Sequence, residues 1–115
     1  MMIDLRADAG PALIVGGGEV AARKARALAE GEFTMVIIAP AMEDSIRALP
    51  RITLIEREFS LGDLPMSAPY SLVFACTDSR AVNREVGQLA RAARIPVVVA
   101  DRQAESTFFT PATLR

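Results

Sequence analysis

The chain is predicted to adopt an α/β fold, a three-layer domain in which a mostly parallel sheet of about five strands carries helices on both faces. Three observations lead there. Short, largely apolar runs recur near Leu13, Met35, Ile52, Leu72 and Val97, with the unbroken hydrophobic character of strands covered on both sides. Stretches with helical spacing lie between several of them, so strand and helix alternate along the chain. The first run also leads directly into a glycine turn and an amphipathic stretch, from Pro11 to Ala25.

Each element can be justified in order. Leu13-Ile14-Val15 is a buried strand, and after the glycines Val20, Ala21, Ala25, Leu28 and Ala29 recur on one helical face, with Gly31 as the stop. Thr34 to Ile38 is a second strand, broken by Pro40; Ser45 to Leu49 is a short helix that Pro50 closes. Ile52 to Ile55 is a third strand. Glu56 to Tyr70 carries Gly62, Pro65 and Pro69 without a clear period and is read as loop, with one helical turn at Leu61 to Leu64. Ser71 to Cys76 is a fourth buried strand, after which Thr77 and Asp78 are candidate helix caps. Val82, Val86, Leu89, Ala90 and Ala93 then form one continuous core face. Pro96 introduces a fifth strand, Val97 to Ala100, which ends at Asp101.

Composition narrows the function. With 115 residues, 51% of them hydrophobic, the chain suits one domain spanning residues 1–115. A net charge of −1 with interspersed acids and bases gives no basic patch, so no nucleic-acid partner is expected. Arg23, Lys24 and Arg26 are read as the solvated face of the first helix. Cys76 is the only cysteine, which excludes an internal disulfide and a Cys-rich zinc site and fits a reducing compartment; its apolar neighbours make it a small core residue. The absence of histidine excludes a Ser-His-Asp triad, a Cys-His dyad and a His-ligated metal. No metal site is expected, and catalysis must rest on carboxylates or a cofactor. Met1 to Gly10 carries Asp4, Arg6 and Asp8 without an apolar core, unlike a signal peptide, and no run approaches membrane-spanning length. A cytoplasmic chain with no membrane partner is the expectation.

The glycine turn is the strongest functional signal. Gly16 permits the sharp turn, Gly18 has no Cβ to keep a pyrophosphate away, and Ala21 holds the third small position of a G-x-G-x-x-A pattern. Free N–H groups at the head of the following helix, with the positive end of its dipole, would face the phosphates. Glu19 suits the first helical turn with its side chain in solvent. The same pattern also occurs in βα turns that bind nothing. Ligands of such sheets lie outside the carboxyl ends of the strands, which singles out Gly16 to Val20, Pro40 and Ala41, Thr77 and Asp78, and Asp101.

The spacing of Gly16-Gly17-Gly18-Glu19-Val20-Ala21, Ala39-Pro40, Thr77-Asp78 with Asn83, and Asp101 followed by Phe108-Phe109-Thr110-Pro111 resembles the N-terminal domain of siroheme synthases, the precorrin-2 dehydrogenase and sirohydrochlorin ferrochelatase family. The likeness runs from about Ala12 to Pro111. It implies a Rossmann-like domain that uses NAD to dehydrogenate the tetrapyrrole precorrin-2 to sirohydrochlorin, with iron insertion as a second activity in bifunctional members. Asp101 matches the family's catalytic aspartate, a general base for the proton that leaves as hydride passes to NAD. The bland alternative for Asp101 is a cap or loop hydrogen-bonder. Gly16, Gly17 and Gly18 with Glu19 and Val20, and Pro40 with Ala41, fall at cofactor positions; Thr77 and Asp78 could close the site. Asn83 could hold a loop by side-chain hydrogen bonds.

The chain departs from the pattern in three ways. The acidic residue expected about twenty positions after the glycines is replaced by Ile38 and Ala39, and Glu43 and Asp44 come late. Ribose recognition therefore falls to backbone groups near Pro40. Val98 stands where family members commonly carry Asn. The family's dimerisation segment and helical domain continue past the Phe-Phe-x-Pro region, whereas this sequence stops at Arg115, as a truncated piece of a longer protein or as a shortened relative that needs another chain to build the substrate site; the apolar ending with Phe108, Phe109 and Leu114 makes a homodimer a further expectation. A nucleotide-binding regulatory or assembly module without turnover is the competing reading.

Overall fold

The computed structural model describes residues 10–107. The expectations on Asp4, Arg6, Asp8 and on Phe108 to Pro111 lie outside the described residues. Five strands, β1 (Ala12–Val15), β2 (Met35–Ile38), β3 (Ile52–Ile55), β4 (Leu72–Ala75) and β5 (Val97–Val99), form one sheet in the order β3-β2-β1-β4-β5. Every pairing is parallel. Helix α1 (Glu19–Glu30) follows β1, the single turn α2 (Asp44–Arg47) follows β2, and α3 (Arg80–Ala92) follows β4. Because β2 and β4 flank β1 on opposite sides, the strand order reverses there and a crevice opens above the ends of β1 and β4.

Alternation along the strands feeds two cores. Ala12, Ile14, Met35, Ile37, Leu72, Phe74 and Val98 face α1 and α2, where they pack with Ala21, Ala22, Ala25, Leu28 and Ile46. Leu13, Val15, Ile38, Val73, Ala75, Val97 and Val99 face α3 and meet Val86 and Ala90. This is why the strands read as unbroken apolar runs: both faces are covered. The helices sit on both faces as the sequence predicts. Arg23 and Arg26 are exposed on α1, as expected of a solvated face, whereas Lys24 is half-buried.

Helix ends depart from the simplest reading. Gly31 caps α1 with φ −86°, and the left-handed residue is the next one, Glu32, at φ 65°. Glu32 N–H bonds Ala29 O at 3.0 Å and Phe33 N–H bonds Leu28 O at 3.0 Å, the paired bonds of a Schellman ending. The end of α3 repeats this design. Arg94 has φ 62°, its N–H meets Arg91 O at 3.0 Å, and Ile95 N–H meets Ala90 O at 2.8 Å. The second helix begins at Asp44 and ends at Arg47, slightly earlier than Ser45 to Leu49. The expected turn in the long loop is a 3-10 turn at Leu61–Asp63.

The outer edge of β5 is covered rather than bare. Thr107 N–H bonds Val97 O at 2.8 Å, while Val97 N–H and Val99 N–H reach the hydroxyls of Thr107 and Ser106, both at 2.8 Å. Side-chain oxygens thereby stand in for a missing ladder partner.

Candidate functional site

The crevice holds a cavity of about 690 Å³. Three loops build it, and their backbones are locked to one another. At the end of β1, Gly16 N–H bonds Ile38 O at 2.9 Å, and Cys76 N–H bonds Val15 O at 2.8 Å. Gly16 has φ +135°, and a Cβ there would lie 2.4 Å from Cys76 O. A Cβ on Gly17 would lie 2.0 Å from Ala41 O, and Gly17 O accepts the Glu43 N–H at 2.9 Å. The turn is therefore pinned to β4 through Gly16 and to the β2 loop through Gly17. Sequence reasoning gave Gly17 no structural task; the close approach of the Ala41 carbonyl supplies one.

Gly18 differs. A Cβ there would meet nothing within 4 Å, so the space beside it belongs to the cavity. Gly18 is also the N-cap of α1, and no side chain caps the helix there. Backbone donors and the positive helix end thus face open space that a side chain would otherwise fill, which fits a pyrophosphate. Glu19 is exposed in the first turn and Ala21 is fully buried beneath the turn, as the pattern requires.

Thr77 and Asp78 line the opposite wall. Neither caps α3: the N-cap is Ser79, whose hydroxyl accepts the Val82 N–H at 3.2 Å. Thr77 instead is held by Asn83, which is fully buried. Asn83 Oδ1 accepts the Thr77 N–H at 2.9 Å and the Thr77 hydroxyl at 2.7 Å, while Asn83 Nδ2 donates to Thr77 O at 3.0 Å. The hydroxyl also accepts the Ser79 N–H at 3.1 Å. Asn83 thus holds a loop through its side chain, as expected, and the loop is this wall of the cavity.

The cavity brings together Gly16, Gly17, Gly18, Glu19, Val20, Pro40, Ala41, Thr77 and Asp78. Asp101 is not among its lining residues. It follows β5, exposed, with its Oδ1 accepting from Arg80 at 2.9 Å; the same guanidinium pairs with Glu105. Arg80 is the first residue of α3, next in the chain to Ser79 of the wall. Burial pushes the Cys76 thiol up to about 12, against Lys24 and Arg23, with the Asp101 charge adding to the rise. Cys76 is thus a buried wall residue and no nucleophile at neutral pH.

Glu58 and Phe59, just beyond β3, also line the cavity and were missed in the sequence. They lie in a loop without periodicity, and the available signal was their position shortly after a strand's carboxyl end. Among the described residues no three His, Cys, Asp or Glu side chains gather as a metal site. No described helix is long and apolar enough to cross a membrane.

Comparison with known proteins bears on the identity of this site. The sequence profile of an NAD(P)-binding family matches residues 1–112. The chain belongs to this NAD(P)-binding family. Siroheme synthases of Pseudomonas paraeruginosa and Gluconacetobacter diazotrophicus are each 41% identical to it, over 104 and 106 residues, covering 88% and 89% of this chain but 22% and 23% of theirs. Siroheme synthase of Pseudomonas entomophila is 38% identical over 106 residues. The chain thus spans less than a quarter of the length of these curated relatives. A solved structure of SirC, precorrin-2 dehydrogenase, superposes with a TM-score of 0.70 over 95% of this chain and 52% of that one, at 19% identity, which is a likeness of fold.

Proposed function

We propose that this chain binds NAD across the glycine turn and takes part in the dehydrogenation of precorrin-2 to sirohydrochlorin in siroheme biosynthesis. The observation that carries the reading is Gly18, uncapped and open at the head of α1, inside a cavity large enough for a dinucleotide. Bound NAD supplies the hydride acceptor, so that precorrin-2 loses one hydride and one proton and the products are sirohydrochlorin, NADH and H⁺. Backbone N–H groups from Gly18 to Val20 hold the pyrophosphate. Pro40 and Ala41 flank the adenosine side, and Thr77 and Asp78 close the other. Asp101 takes the proton from the macrocycle as general base, and Arg80 sets the direction of its carboxylate. Iron insertion at the same carboxylate, pairing of two copies and a cytoplasmic location belong to this reading on the strength of the family likeness.

The position of Asp101 outside the cavity lining, tied to Arg80, favours a second reading, a module that binds the nucleotide without turnover. Purified chain mixed with NAD and precorrin-2, with and without a full-length siroheme synthase whose own dehydrogenase activity has been abolished by substitution, separates the two. NADH formation that is lost in Asp101→Ala while calorimetric NAD binding persists supports the dehydrogenase. Binding without NADH formation under either condition supports the module, and NADH formation that survives Asp101→Ala overturns the role of that residue.

A further inference from the structure

A dinucleotide site of this fold ordinarily places an acidic side chain at the carboxyl end of β2, where it accepts hydrogen bonds from the adenosine ribose. Here that end is Ile38-Ala39-Pro40, which carries no such acceptor. Neither Ala39 nor Pro40 offers a backbone donor in its place. The Ala39 N–H is spent on Ile55 O at 3.1 Å, and Pro40 has no N–H. Glu43, the first acidic residue downstream, is committed elsewhere: its N–H bonds Gly17 O, its carboxylate receives the Ser45 hydroxyl at 3.4 Å, and it does not line the cavity.

The neighbouring strand supplies what β2 lacks. β3 lies beside β2 with Ile55 opposite Ile38, and Glu58 follows shortly after, on the cavity wall with Phe59. This segment is held firmly. The Arg57 guanidinium forks onto both oxygens of Asp63, at 2.7 and 2.8 Å, and donates to the Glu58 carbonyl at 3.0 Å. Ser60 N–H closes the loop onto Asp63 Oδ2 at 2.8 Å. Phe59 packs half-buried against the α3-side core. The Glu58 carboxylate, by contrast, is exposed and accepts no hydrogen bond or ion pair among the described residues. A stapled backbone therefore presents a free carboxylate at the β2–β3 end of the cavity.

We propose that Glu58 reads the adenosine ribose and selects the coenzyme: its carboxylate accepts hydrogen bonds from the ribose hydroxyls and repels a 2′-phosphate, so NAD is preferred over NADP. This rests on the dinucleotide reading above. The other two carboxylates of the cavity are placed for neither task. Glu19 opens α1 beside the phosphate position, and Asp78 follows β4, on the far side of β1 from β2.

Calorimetric titration of the chain with NAD and with NADP tests the assignment, using the unsubstituted protein, Glu58→Gln and Glu58→Arg. Glu58 is exposed, so both variants should fold. The unsubstituted chain is expected to prefer NAD; Glu58→Gln should weaken NAD about tenfold, the worth of a hydrogen bond to a charged group. NADP should bind Glu58→Gln no less tightly, and Glu58→Arg should reverse the preference. NAD binding with the same NAD-to-NADP ratio in all three proteins overturns the role of Glu58, as does an unsubstituted chain that prefers NADP. Failure of the unsubstituted chain to bind either coenzyme overturns the dinucleotide reading itself.

Discussion

Replacing Asn83 with alanine should destabilise the domain by about 3 kcal/mol, far more than its lack of apolar surface suggests. The magnitude follows from what the side chain leaves behind. Asn83 is fully buried and makes three hydrogen bonds to one residue, Thr77. Without it, the Thr77 hydroxyl can turn to Ser79 O at 3.1 Å, but the Thr77 N–H and C=O lose their partners. Each orphaned group costs about 1–3 kcal/mol when buried, and the half-exposure of Thr77 keeps the sum near the lower end. At about 4 °C per kcal/mol for a chain of this size, the melting temperature should fall by about 12 °C.

Urea unfolding followed by circular dichroism gives the free energy, with an unchanged slope as evidence that only stability moved. Asn83→Asp is an informative control. At neutral pH it keeps the shape and the acceptor but loses the donor to Thr77 O and buries a charge, so it should be at least as damaging. In acid its protonated carboxyl regains a donor, and part of the loss should be recovered. Thr77→Val should couple to Asn83→Ala by more than about 0.5 kcal/mol in a double-mutant cycle, because the two share a bond. A loss below about 1 kcal/mol for Asn83→Ala, with no coupling to Thr77, would refute the reasoning.

Other outcomes follow from the same geometry. Gly17→Ala should destabilise by about 1–3 kcal/mol, because its Cβ is driven into the Ala41 carbonyl. Gly18→Ala should leave the melting temperature nearly unchanged while weakening NAD in calorimetry, since its Cβ enters space left for the phosphates. Glu32→Gly and Arg94→Gly should each stabilise by about 1 kcal/mol in urea melts, because both side chains stand at left-handed helix endings. Arg57 holds the Asp63 carboxyl below its usual range, so this group stabilises the fold above the unfolded value of about 3.9 and loses that contribution as pH falls through its lower folded value. Asp63→Asn should therefore flatten the fall in stability below about pH 4, and an unchanged acid profile would count against the pair.

The sheet was legible in the sequence because parallel strands buried on both faces leave a local mark, an apolar run a few residues long. Ile52–Ile55 fell at its predicted bounds for that reason, and the others differ only at their ends. The glycine turn was equally legible, since Gly16 and Gly18 act through backbone geometry that the residue type itself reveals. What stayed hidden depends on contacts between distant segments. Gly17 meets Ala41, and only the folded loops bring them together. The cap of α3 is Ser79 because Asn83 holds Thr77 away from the helix end, a competition between neighbouring polar residues that sequence spacing does not decide. Glu58 reaches the cavity because β3 lies next to β2, which is a fact of topology.

These contacts also separate the two halves of the chemistry. The glycine-turn side of the cavity is made from backbone and small residues, locked through Gly16 to β4, through Gly17 to the β2 loop and through Asn83 to α3, so it is organised before any ligand arrives. Asp101 stands apart, held by one guanidinium that also serves Glu105. A substrate carrying carboxylates can compete for Arg80, whereas nothing of the kind can unlock the glycine turn. In the proposed function, binding of the nucleotide and use of the aspartate are therefore separable. A variant that moves the Arg80 contacts should alter turnover and leave the nucleotide Kd in place, because no residue of the glycine turn depends on that pair for its position.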